Sequence, residues 1–133
     1  MKVNEDLTLS YPASSGSVAS ARGAVVDFAA RNGATEAQLE SIRLAVSEAV
    51  TNAIIHGYHD SDGTIHVTAA LAAGDLWVLV ADNGEGFQKP SPQPGLGWGM
   101  PLIAHASDEF VIAERAYGGT EVRMRFAVGD DTP

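Results

Sequence analysis

Glu48 and Asn52 stand four residues apart in the stretch Leu44-Ala45-Val46-Ser47-Glu48-Ala49-Val50-Thr51-Asn52-Ala53-Ile54-Ile55. On a helix this spacing puts both polar heads on one face, one turn apart. The stretch is too apolar all round for a water-facing helix, so a solvated strip accounts poorly for the pair. A carboxylate and an amide oxygen in such surroundings are groups that hold a hard cation or accept a proton. Further on, Val80-Ala81-Asp82-Asn83-Gly84-Glu85-Gly86-Phe87 sets an acid and two glycines at the end of an apolar run. Asn-Gly by itself is a hairpin signal, but the segment that follows, Gln88-Lys89-Pro90-Ser91-Pro92, makes a poor returning strand. Asp82, at a strand end beside permissive backbone, is well set to accept a hydrogen bond from a base edge. Gly95-Leu96-Gly97-Trp98-Gly99-Met100-Pro101 then brings three glycines to the start of a helix, where free amides and the dipole favour phosphate. The dinucleotide fingerprint is ruled out by the spacing and by the Pro-rich segment before it, and no Walker A sequence occurs. Gly118-Gly119-Thr120 alone reads as a hairpin turn.

The elements that must position these residues follow from periodicity. Val3 to Tyr11 alternates loosely, ends at Pro12 and reads as an edge strand. Ser14 or Ser17 is expected to cap a helix running to about Arg31, with Val18, Ala21, Val25, Phe28 and Ala29 on one side and Asn32-Gly33 as its stop. Thr35 and Gln38 match a capping box, followed by a stripe of Leu39, Ile42, Val46, Ala49, Val50 and Ala53 that Gly57 ends. Thr64 to Ala72 and Leu76 to Ala81 are strands joined at Ala73-Gly74-Asp75, and Gln88 to Pro94 is patternless and reads as a loop. A short helix around Pro101 to Ala106 and strands Glu109 to Glu114 and Glu121 to Val128 complete the chain. The sum is α+β: a two-layer sandwich with helices on one face of a mixed, mainly antiparallel sheet.

At 133 residues, the chain is expected to form one domain over 1–133. Without cysteine it has no disulfide, thiolate metal site or Cys nucleophile, which suits a reducing cytoplasm. No apolar leader or span is evident, so neither export nor membrane insertion is expected. With 17 acidic against 8 basic residues the formal charge is −9, which argues against DNA or RNA as a partner. The same field repels ATP, so a nucleotide site here must rely on backbone amides and a divalent cation.

In this order, Glu48-x-x-x-Asn52, Asp82-x-Gly84-x-Gly86-Phe87, Gly95-x-Gly97-x-Gly99 and Gly119-Thr120 resemble the N, G1, G2 and G3 boxes of GHKL (Bergerat-fold) ATPases. The resemblance covers about Thr35 to Phe126, and the preceding helix looks like that of the anti-sigma-factor serine kinases. It implies ATP and Mg²⁺ as cofactors, with Asn52 as the Mg²⁺ ligand, Glu48 as general base and Asp82 on the adenine amino group. Gly84, Gly86, Phe87, Gly97, Gly99, Met100 and Thr120 would line the nucleotide, Gly95 would end a lid over 88–95, and Lys89 would reach the phosphates from that lid. Trp98 and Gly99 make the second glycine box richer than the usual pattern, leaving open which glycines touch phosphate. The short lid is unlike gyrase, the heat-shock chaperone or mismatch-repair proteins. The resemblance further implies phosphotransfer to a serine of an anti-anti-sigma (STAS) protein, a sigma factor as second partner and a homodimer. Two alternatives stay open: an inactive ATP-binding module that only sequesters a partner, and a histidine-kinase-like ATPase. His56, His59, His66 and His105 read as structural residues rather than phosphoacceptors.

Overall fold

A two-residue turn fixes the register of half the sheet. Ala73 (φ 55°) and Gly74 (φ 86°) both take positive φ, the requirement of a type I′ hairpin. They join β2 (Thr64–Ala72) to β3 (Asp75–Asp82) with Ala72 opposite Asp75. The computed structural model describes residues 6–57, 63–83, 102–115 and 119–129. Around that hairpin, β1 (Leu7–Pro12), β4 (Glu109–Glu114) and β5 (Thr120–Ala127) complete a sheet of order β1-β2-β3-β5-β4. All four pairings among the described residues are antiparallel, which narrows the expectation of a mixed sheet and leaves the α+β class intact.

Side chains alternate faces along each strand, so register decides which residues form rows. Leu9, Val67, Val80, Val122 and Ile112 lie in one row across all five strands; Leu7, Ala69, Val78, Met124 and Phe110 lie in the next. These rows face two helices. In α1 (Gly16–Arg31) the buried residues are Ser17, Ala21, Val25, Phe28 and Ala29. In α2 (Glu36–Gly57) they include Leu39, Ile42, Ala45, Val46, Ala49, Val50 and Ala53. α1 packs on β1 and β2, and α2 on β2, β3 and β5, so one apolar layer serves the whole sandwich.

The helix ends follow local chemistry. The Gln38 amide nitrogen donates to Thr35 Oγ1 at 3.2 Å and the Thr35 amide to Gln38 Oε1 at 2.8 Å, the reciprocal box expected. Gly33 at φ 97° ends α1, with the Ala34 amide donating back to the Ala29 carbonyl at 3.0 Å. At the start of α1 neither expected serine caps. Ser15 holds the cap position and its side chain makes no capping bond, while Ser17 Oγ donates to the Pro12 carbonyl at 2.5 Å, satisfying the strand end. Residues 102–106 are helical, with Ile103 fully buried. No helix among the described residues is long and apolar enough to cross a membrane.

Candidate functional site

Asp82 occupies a place in the sheet where a hydrophobic residue would continue the core. It lies opposite Ile65 on the helix-facing side of β3, two residues beyond Val80, and is 3 % exposed. One step past the Ala81–Glu121 pair, β5 begins with Thr120, on the same face as Val122 and 2 % exposed. A carboxylate and a hydroxyl thus share the end of the central strand pair, sealed from solvent.

The direction of α2 decides what lies above them. Gln38 Nε2 donates to the Gly129 carbonyl at 3.1 Å, and the Gly129 amide donates to Gln38 Oε1 at 3.0 Å, so α2 starts over the far end of β5. Ser41 borders a groove with Phe126, Ala127, Ala106 and Asp108 at that same end. From Ser41 to Asn52 the helix rises about 16 Å, and from Phe126 back to Thr120 the strand covers about 20 Å. Asn52, 5 % exposed, therefore sits at the Asp82–Thr120 end of the sandwich. Ser41, Ala45, Glu48 and Asn52 follow one another at spacings of four, three and four, hence on one flank. It is the flank away from α1, since Arg22 of α1 donates to Ser47 on the other side at 3.3 Å. Glu48 is half-buried.

Two atoms at this end are unsatisfied. Asn52 Nδ2 and Thr120 Oγ1 are both buried without a hydrogen-bond partner among the described residues. Each such group costs about 1–3 kcal/mol unless something pairs with it. A turn of the Asn52 amide exchanges its nitrogen for its oxygen, so the same position serves a hydrogen-bond acceptor or a hard cation. Amide, hydroxyl and carboxylate are groups of the kinds that bond a nucleotide or a hard cation.

Backbone geometry holds the turn where β3 and β5 meet. Gly119 has φ 90°, and a Cβ there would overlap the Asp82 carbonyl oxygen and come within 2.7 Å of its carbon and 2.8 Å of Asn83 Cα. Only glycine permits that approach. Sequence reasoning passed over Arg115, a half-buried residue just past β4. Its Nη1 donates to the Asp82 carbonyl at 3.2 Å and to Asn83 Oδ1 at 2.5 Å, and its amide donates to the Gly119 carbonyl at 3.0 Å. Its position shortly before Gly118-Gly119-Thr120 was the only hint, and an isolated cation has no periodic signature. Gly84, Gly86, Phe87, Lys89, Gly95, Gly97, Gly99, Met100 and the 88–95 loop lie outside the described residues, as does His59. His66 lies in β2 and His105 is exposed.

The model of the histidine kinase-like ATPase domain matches residues 11–126. The chain is 32% identical over 131 residues to an anti-sigma F factor of Clostridium botulinum (strain Eklund 17B / Type B), covering 90% of this chain and 92% of that protein. It is 31% identical over 142 aligned positions to an anti-sigma F factor of Thermoanaerobacter sp. (strain X514), covering 98% and 99%. Among solved structures, the RsbU and RsbW domains of a Mycobacterium tuberculosis protein superpose with a TM-score of 0.74 at 27% identity, over 94% of this chain and 33% of that one. The histidine kinase domain of Erythrobacter litoralis EL346 shares the fold, with a TM-score of 0.59 at 22% identity over 88% of this chain and 61% of that one.

Proposed function

The chain belongs to the histidine kinase-like ATPase domain family, and from that premise we propose that it is an ATP-binding anti-sigma factor with serine kinase activity. In this reading residues 1–133 form one ATPase domain that phosphorylates a serine of an anti-anti-sigma (STAS) protein and otherwise holds a sigma factor. The protein works in the cytoplasm as a homodimer, without nucleic acid. The observation that carries the reading is the pair of sealed atoms Asn52 Nδ2 and Thr120 Oγ1, without a partner among the described residues, at the same end of the sandwich as Asp82. The similarity to anti-sigma F factors along nearly the whole chain supports the partner class.

Asp82 accepts a hydrogen bond from the adenine amino group, Thr120 bonds the nucleotide, and Asn52 contributes an oxygen to Mg²⁺. When bound, Mg²⁺ neutralises phosphate charge that this acidic chain cannot. Glu48, on the same flank as Asn52, takes the proton from the partner's serine hydroxyl as that oxygen bonds the γ-phosphorus and ADP departs. Gly84, Gly86, Phe87, Gly95, Gly97, Gly99 and Met100 supply the loops around the nucleotide, and Lys89 reaches the phosphates from the 88–95 lid.

The test is incubation with γ-labelled ATP, Mg²⁺ and each STAS protein of the same genome. Label on one partner serine is the expected result. ATP binding without transfer to any partner would replace the kinase with a sequestering module, and absence of ATP binding would remove the reading altogether.

A further inference from the structure

We propose that Arg115 is the positioning residue of the Asp82 end of the pocket, fixing the Asp82–Asn83 turn so that the Asp82 carboxylate stays aimed at an adenine ring. This rests on the nucleotide reading above. One guanidinium nitrogen donates to the Asp82 carbonyl and to Asn83 Oδ1, and the Arg115 amide holds the Gly119 carbonyl. Arg115 therefore joins the end of β3, which carries Asp82, to the start of β5, which carries Thr120.

The contacts also fix orientation by elimination. A guanidinium only donates, so the Asn83 side chain must turn its oxygen to Arg115 and its nitrogen away. That nitrogen lies 3.4 Å from His66 Nε2. An amide nitrogen only donates, so Nε2 accepts and the imidazole proton sits on Nδ1, 3.0 Å from Ser10 Oγ. Arg115, Asn83, His66 and Ser10 form one polar chain running from the β4–β5 connection to β1. Its direction is set at the arginine. Without Arg115 the Asp82 carbonyl and Asn83 Oδ1 both lose the guanidinium as a donor.

Asp82 belongs to the base-recognising end, so loosening it should lower the preference for adenine and not simply weaken all nucleotides alike. Arg115→Met keeps much of the apolar stem and removes the donors; Arg115→Lys keeps the charge but ends one bond short. Calorimetric titration with Mg-ATP and Mg-GTP should show ATP bound about 10-fold more weakly by Arg115→Met, with the ATP-over-GTP preference reduced and Arg115→Lys in between. Nitrogen-15 NMR of the His66 ring should show the Nδ1–H tautomer in the parent and a mixture in Arg115→Met. A purely structural arginine would lower the melting temperature yet leave preference and tautomer unchanged, and that outcome overturns the proposal. If Arg115→Met does not fold, Arg115→Lys is decisive, parent-like preference overturning the proposal and reduced preference supporting it. A parent that binds no ATP refutes the nucleotide reading instead, and is distinguished by that control.

Discussion

Thr120 Oγ1 and Asn52 Nδ2 are sealed polar atoms with no partner among the described residues, an arrangement that weakens the protein unless something pairs with them. Thr120→Val removes the hydroxyl and keeps the shape, so the nucleotide-free protein should gain about 1 kcal/mol in denaturant unfolding while ATP binds more weakly. Stability and affinity moving together would show that Thr120 serves only the fold. Glu48→Gln keeps size and reach but cannot take a proton; ATP should still bind while phosphotransfer falls by about 10²–10⁴. Transfer at the parent rate would assign the base elsewhere. Asp82→Asn presents a donor to the adenine amino group and should weaken ATP by about 1.5–3 kcal/mol in calorimetry; unchanged affinity would dismiss Asp82 as the adenine acceptor. The residue types were legible from spacing alone, since four residues on a helix is a geometric statement. The isolation of Asp82 and Thr120 from water was not, because it depends on β5 lying beside β3, a pairing no local pattern encodes.

At the scale of elements, what was legible was whatever repeats. β4 and β2 have the bounds expected from sequence, and Thr35 and Gln38 form the expected capping box of α2. The start of α1 differs from expectation because Ser15, not Ser14 or Ser17, holds the cap position and the Ser17 hydroxyl turns to the Pro12 carbonyl, a choice that the fold makes and local sequence does not. Gln38 does more than close its box: its amide also bonds both backbone groups of Gly129, tying the start of α2 to the end of β5. Gln38→Ala should therefore cost about 1–3 kcal/mol by denaturant titration and leave ATP affinity near the parent value, since the change lies at the end opposite Asn52. A large loss of affinity would mean that α2 transmits its placement along its length. Both sides of β3 are occupied, by β2 and β5. The sequence argument against a hairpin after Asn83 concerns residues 84–92, which lie outside those described.

For the molecule as a whole, the proposed reading makes Mg²⁺ a condition of nucleotide binding rather than an accessory, because the formal charge is −9. Removing it with EDTA should lower ATP affinity at least 10-fold, and affinity indifferent to EDTA would mean that side-chain cations hold the phosphates. The expected lid gives a second whole-molecule test: limited proteolysis should cut within 88–95 less readily when Mg-ATP is present, and equal cutting would discard the lid. The strand order carries a further consequence, for synthesis. β4 leaves the ribosome before β5, yet in the sheet β5 lies between β4 and everything made earlier. Until Thr120–Ala127 emerges, β3 has one open edge, β4 has nothing to pair with, and Gln38 has no Gly129 to bind. From Asp82 onward a nascent chain carries Glu48, Asn52 and Asp82 before β5 is there to close the sheet, so in the proposed reading nucleotide capture waits for the final described strand to be paired.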